Sequence, residues 1–223
     1  MSTAPRKLRR TTLAGDAHAA VRDLLLGGTR YAPGEKISIE ELARDLGVSR
    51  SPIWTAVARL EAEGIVEVSP RQGVFLVGFA PERVRAVFEA REALEGMAAR
   101  LAARRMSDAA LAELAGTVAR QTAALERKSR TAYDKANSDF HEALLAGCEN
   151  PAITKALRSL YAQTQAMCGK RTATFEQLAG NRDEHAAILK ALEAHDEEAA
   201  EHTARAHVAQ RLTKLLPDGP CTY

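Results

Sequence analysis

Ser38-Ile39-Glu40-Glu41-Leu42-Ala43-Arg44-Asp45-Leu46-Gly47-Val48-Ser49-Arg50-Ser51-Pro52-Ile53-Trp54 is the stretch on which the reading of this chain turns. Ser38 followed three residues later by Glu41 is a capping box, which opens a short helix containing Leu42, Ala43 and Leu46. Gly47 stands just past that helix, where a left-handed conformation is cheapest in glycine. Pro52 suits the first position of a second helix. Ile53, Ala56, Val57 and Leu60 give that helix its apolar face, and Gly64 ends it. Two helices joined by a tight glycine turn form a helix-turn-helix, whose second helix lies in a DNA major groove with its N-terminal residues at the bases. At that N-terminus a serine hydroxyl or backbone N–H can hold phosphate, and Arg50 can read guanine. The plainer reading makes Ser49 or Ser51 a cap and Arg50 a solvated charge.

The flanks extend the pattern. Residues 12–28 read as a helix with Leu13, Ala17, Ala20, Val21, Leu24 and Leu25 on one side, closed by Gly27-Gly28. Downstream, Ile65-Val66-Glu67-Val68 and Gly73-Val74-Phe75-Leu76-Val77 read as strands around a turn, Ser69-Pro70-Arg71-Gln72. This is a two-stranded wing, whose Arg71 and Gln72 offer a second contact to DNA backbone or minor groove. After Phe79-Ala80-Pro81 no strand signal recurs. Amphipathic helices are expected near 82–105, 107–128, 131–148, 151–168, 173–194 and 197–216. The fold class is therefore mainly α: a winged helix-turn-helix over 1–78, then an all-helical bundle over 79–223.

Composition agrees. The chain has 223 residues, 46% hydrophobic and 27% charged, so it is globular and large enough for a core. Aromatics are only 4%, which favours closely packed helices. No apolar run approaches the roughly 20 residues that span a bilayer. The N-terminus carries Arg6, Lys7, Arg9 and Arg10, a basic arm rather than a secretory signal. Cys148, Cys168 and Cys221 are odd in number and lack metal-type spacing, which fits a reducing cytoplasm. A net charge of +2 neither requires nor forbids nucleic acid.

In the helical half, polar residues interrupt apolar stripes. The first helix carries Arg91 and Glu95 between Phe88 and Ala98. They are either an i,i+4 ion pair at the stripe edge or a pocket wall offering a fork to a ligand carboxylate. The third helix carries Asn137 and His141 among Tyr133, Ala136, Phe140 and Leu144. The fifth carries Arg182 and His185, and the last His207 and Arg211. Three helices thus each turn one histidine inward, as satisfied core imidazoles or as ligands of zinc, nickel, manganese or iron. The fourth helix aligns Tyr161, Thr164 and Gln165, which either hydrogen-bond a ligand or satisfy one another. His18, His195 and His202 have no such placement and are read as surface residues.

Leu42–Pro52, Arg59-Leu60-Glu61-Ala62-Glu63-Gly64-Ile65-Val66 and Pro70-Arg71-Gln72-Gly73-Val74-Phe75-Leu76 together resemble the GntR-family winged helix. The resemblance implies a bacterial regulator that dimerises on a palindromic operator. It places DNA contacts at Ser49, Arg50 and Ser51 and around the Gly73 wing tip, and Arg59, Arg71 and Gln72 complete the expected DNA-binding set. Trp54 departs from the family, which usually carries Arg there. Its indole stacks on sugar, meets a thymine methyl or packs against the domain. Asn137-Ser138-Asp139-Phe140-His141, Glu149-Asn150-Pro151, Glu184-His185 and Ala206-His207-Val208 resemble the FCD effector domain. That resemblance implies a divalent metal on Asn137, His141, His185 and His207, where Asp is commoner than Asn137. It also implies a small carboxylate effector, for which the stripe residues Arg91, Tyr161, Gln165 and Arg182 are the expected contacts. The expected protein is a cytoplasmic, homodimeric, ligand-responsive repressor with zinc as the first choice of metal, bound to double-stranded DNA and not to membrane. It is not an enzyme. The rival expectations are a metal-dependent enzyme acting on a carboxylate and a dimerisation module with a decayed ligand site.

Overall fold

The structure is a computed structural model that describes residues 10–27, 30–169 and 173–216. Arg6, Lys7 and Arg9 of the basic arm, Gly28 and Cys221 lie outside the described residues, as do the side chains of Arg10 and Leu13. The element order is α1 (Arg10–Leu26), β1 (Lys36–Ile37), α2 (Ile39–Asp45), α3 (Arg50–Ala62), β2 (Val66–Ser69), β3 (Gly73–Leu76), α4 (Pro81–Arg105), α5 (Asp108–Glu126), α6 (Arg130–Gly147), α7 (Pro151–Cys168), α8 (Phe175–Glu193) and α9 (Glu197–Leu215). The chain forms two compact units, Met1–Ala80 with Tyr161–Arg171, and Pro81–Leu160 with Thr172–Tyr223. Ala162 and Ala166, one turn apart on α7, are buried in the core of the first unit. Gln165 there donates to the Leu26 carbonyl at 2.8 Å, one of the end carbonyls that α1 leaves without an intrahelical partner.

In the first unit the Ser38 hydroxyl accepts from the Glu41 N–H at 3.2 Å and starts α2. Gly47, with φ 65°, ends it. The Gly47 and Val48 N–H groups return to the Arg44 and Ala43 carbonyls, and the chain turns sharply into α3. Helix α3 begins at Arg50, so Pro52 is its third residue rather than its first. The shift is tolerated because N–H groups of the first turn have no intrahelical acceptor. Ile53, Ala56, Val57 and Leu60 pack on Val21, Leu25, Leu42, Ile65, Val74 and Leu76. The sheet has three antiparallel strands in the order β1-β3-β2. The sequence indicated only two, since β1 pairs just Lys36 with Phe75 and Ile37 with Val74. The wing closes between Ser69 and Gly73, with Arg71 at φ 64°.

The second unit is all helical, and side-chain caps set its starts. The Ser107, Ser129 and Asp196 side chains accept from the Ala110, Ala132 and Ala199 N–H groups. Thr174 and Gln177 form a reciprocal capping box at α8. Helices α4 and α9 approach closely at Gly96, where a Cβ would stand 2.6 Å from Arg205 Cγ. The apolar core gathers Ala99, Ala102, Leu114, Phe140, Leu144, Ile188, Leu192 and Ala204. Arg91, Glu95, Thr117, Gln121, Asn181, His185 and His207 are buried in the same unit.

Candidate functional site

Two sets of side chains stand apart from plain packing. The first is the outward side of α3 with the wing. Ser49 is the N-cap of α3 in extended conformation, yet its side chain makes no capping hydrogen bond. Its hydroxyl is thus not committed to the helix. Arg50, Ser51, Trp54 and Arg59 are exposed along α3, and Arg71 and Gln72 are exposed at the wing turn beside half-buried Gly73. Arg50 Nη1 lies 3.1 Å from Glu40 Oε1, but both side chains are well exposed, so this pair is weak and exchangeable. Trp54 is 46% exposed and does not pack into the domain.

The second set is interior. His141 on α6, His185 on α8 and His207 on α9 converge, with one ligand nitrogen from each lying within 4.8 Å of the others. The ring centroids are 5.1 Å (141–185), 5.8 Å (141–207) and 4.8 Å (185–207) apart. Burial, the charge of neighbouring His207 and nearby guanidinium groups push the His141 imidazole well below its ordinary pKa. Burial first, then His141 and His207, does the same to His185. Both are therefore neutral near pH 7, the form that ligates metal.

Their neighbours fix which nitrogen is offered. His207 Nδ1 is 2.6 Å from Glu184 Oε2. A carboxylate only accepts, so Nδ1 carries a proton and Nε2 is the nitrogen turned away from Glu184. His185 Nδ1 is 3.0 Å from Gln121 Oε1, which likewise places a proton on Nδ1. His185 Nε2 and His207 Nε2 are then buried with no hydrogen-bond partner among the described residues. Burial alone would raise the Glu184 carboxyl, but hydrogen bonds from His207 and Lys214 outweigh it and hold it below its ordinary range. Lys214 Nζ reaches Glu184 Oε1 at 2.9 Å and Asn181 Oδ1 at 3.2 Å. Converging imidazole nitrogens, with outer partners that orient the His185 and His207 rings, are what a d-block dication requires. The residues fit such an ion.

Two guanidinium groups accompany the histidines. Arg91 Nε donates to Glu95 Oε1 at 2.9 Å, with both side chains buried. Its guanidinium also stands 4.6 Å over the Phe88 ring. The i,i+4 pair is thus inside the unit, not at a stripe edge. Arg211 on α9 makes no ion pair or hydrogen bond among the described residues, and loss of hydration, with Arg91 nearby, pushes it below its ordinary range.

The other expectations fall as follows. Asn137 is half-buried, one turn before His141. Arg182 is engaged by the Thr122 hydroxyl at 3.1 Å and Asp183 at 2.9 Å. Tyr161 and Gln165 fall in the part of α7 that belongs to the first unit. His195 Nδ1 is 2.7 Å from the Ala103 carbonyl, and His202 is exposed. His18 is corrected: its side chain is only 13% exposed and lies 2.9 Å from Glu63. Gln121 and Lys214 were not foreseen, Arg211 was named only on the inward stripe of the last helix, and Glu184 only beside His185 in the family motif. Glu184 adjoins His185 in sequence, and Arg211 is one turn after His207, so both had a signal.

The family described as bacterial regulatory proteins, gntR family, matches residues 13–76, and the FCD domain matches residues 86–210. The chain belongs to the GntR family, in the branch that carries an FCD domain. It is 35% identical over 152 residues to an HTH-type transcriptional regulator of Agrobacterium vitis from the TAR-I ttuE-ttuC' intergenic region, covering 61% of this chain and 86% of the relative. It is 29% identical over 215 residues to the "Probable D-xylose utilization operon transcriptional repressor" of Paenarthrobacter nicotinovorans, covering 95% and 92%. The solved structure of E. coli McbR/YncC shares the fold, with TM-score 0.78 at 22% identity over 92% of this chain and 98% of that one. This GntR-family protein is a DNA-binding transcriptional regulator with a ligand-binding FCD domain, and not an enzyme. Among the described residues no helix is long and apolar enough to cross a membrane.

Proposed function

We propose that this GntR-family regulator is a cytoplasmic homodimeric repressor that leaves its operator when a small organic acid binds beside a metal ion in the FCD domain. His141, His185 and His207 hold the metal, with the Asn137 amide oxygen as a further ligand. Zinc is the first choice for neutral imidazoles, and nickel, manganese and iron share the ligand preference. The metal supplies a positive centre with a position open to an acid oxygen. Arg91, Arg211 and Lys214 stand against the carboxylates of Glu95 and Glu184, an excess of one positive charge that suits an anionic effector. A guanidinium carries five donors, more than Glu95 alone can take. Arg182 is not needed, since Thr122 and Asp183 occupy it, and Tyr161 and Gln165 are not retained as effector contacts.

On the DNA side, Ser49, Ser51 and the start of α3 take phosphate, while Arg50 and Trp54 face the bases. Arg59, Arg71, Gln72 and Gly73 complete the surface. A dimer places two such helices on half-sites about one helical turn apart. The effector changes operator affinity because it binds the two states of the dimer unequally.

The observation that carries this reading is the pair of buried Nε2 atoms of His185 and His207, without a hydrogen-bond partner among the described residues and converging with His141. A thermal-shift screen of organic acids, with and without chelator, tests it. Chelation is expected to lower the melting temperature, and at least one acid to raise it only when metal is present. No response to chelator and none to any acid would contradict it.

A further inference from the structure

We propose that the middle of α3 reads thymine methyl groups in the major groove, with Trp54 setting that preference. The proposal rests on the reading that α3 enters the groove. The residues between Arg50 and Arg59 are Ser51, Pro52, Ile53, Trp54, Thr55, Ala56, Val57 and Ala58. Ile53, Ala56 and Val57 face the core and Pro52 is half-buried, so Ser51, Trp54, Thr55 and Ala58 form the outward arc.

That arc is largely apolar. Trp54 leaves 46% of its surface in solvent. The Thr55 hydroxyl donates back to the Ser51 carbonyl at 3.1 Å, which leaves its methyl as the group it offers outward. Ala58, one turn beyond Trp54, adds a second exposed methyl. No Arg, Lys, Asn or Gln in the arc can make the two-pronged hydrogen bonds that read guanine or adenine, and the indole has a single N–H. In the major groove the feature that an apolar surface distinguishes is the C5 methyl of thymine. The side chains that can make such two-pronged bonds, Arg50 and Arg59, flank the arc, and its one uncommitted hydroxyl, Ser51, stands at its start. The half-site is therefore expected to carry thymine opposite the centre of α3.

Replacing thymine by uracil removes that methyl and nothing else, so it isolates the contact. The metal-loaded full chain is used to select sites from a random duplex pool. Each thymine of the selected site is then changed to uracil, singly, and binding is measured with the wild-type chain and with Trp54→Ala. At one thymine or more per half-site, uracil is expected to weaken wild-type binding about fourfold, the worth of burying one methyl. At that base Trp54→Ala should bind thymine and uracil alike. Because the side chain is exposed, its melting temperature should match wild type. Uracil tolerated at every thymine of a selected site would overturn the proposal while leaving DNA reading by α3 intact. Equal uracil sensitivity in both chains would remove Trp54 from it. A pool that yields no enriched sequence would contradict DNA reading itself, and the proposal with it.

Discussion

The two units of this regulator place their polar residues in opposite ways. The core of the first unit is apolar, and Ser49, Arg50, Ser51, Trp54 and Arg71 stand on its surface. In the second unit Arg91, Glu95, Gln121, His185 and His207 are buried. A charge or imidazole inside a bundle costs several kcal/mol unless partners compensate it. A surface serine or arginine costs almost nothing, and is free to meet phosphate. The first unit is thus built to be stable without its ligand. The second gains its full stability only when its interior polar atoms find partners.

That contrast is open to attack by mutation. The largest effect is expected at Arg91. Arg91→Ala leaves Glu95 buried and unpaired, and should cost about 3–5 kcal/mol in denaturant unfolding. Arg50→Ala should leave stability unchanged in the same assay, and equal losses would erase the distinction between the units. Next comes the metal. Stripping it at a hundredfold excess over Kd should lower stability by about 2.7 kcal/mol, because the ion binds only the native state. His207→Gln should abolish that dependence; a chelator effect that survives it places the metal elsewhere. On the DNA side, Arg50→Ala should weaken operator binding by about 1–3 kcal/mol with relaxed specificity. An equal loss on random DNA would reduce Arg50 to a phosphate contact.

Mild acid probes the interior histidines. His141 and His185 have folded pKa values depressed below that of the unfolded chain. The unfolded state therefore binds more protons below about pH 6.5, and metal-free stability should fall as pH drops through that point. The slope should approach about 1.4 kcal/mol per pH unit for each histidine. A flat profile between pH 6.5 and 5 would show that the imidazoles protonate without cost. The smallest change expected is at Asn137. Asn137→Asp adds a negative ligand and should tighten the metal by less than about tenfold (~1.4 kcal/mol). Weaker binding with an intact fold would remove residue 137 from the ligand set.

The same contrast explains what was legible in the sequence. Helix starts and stops are local events, so Ser38, Gly47 and Gly64 announced those of α2 and α3. The exposed residues of α3 could be named for a similar reason, since they follow from its register alone. Strand β1 escaped because two residues form a strand only against a distant partner, β3. The histidine stripes were visible one helix at a time, but their convergence depends on how α6, α8 and α9 pack. Gln121 escaped because α5 offered no histidine to draw attention to its buried face. Nothing in the periodicity of α7, where Tyr161 and Gln165 lie, reveals that its end belongs to a different unit from its beginning.

X-ray absorption at the metal edge of the loaded full chain, with elemental analysis, tests the central claim most directly. The account predicts stoichiometric metal in a nitrogen- and oxygen-only shell dominated by imidazole, lost in His207→Gln. A sulfur-containing shell, or a shell and stoichiometry unchanged in His207→Gln, would contradict it.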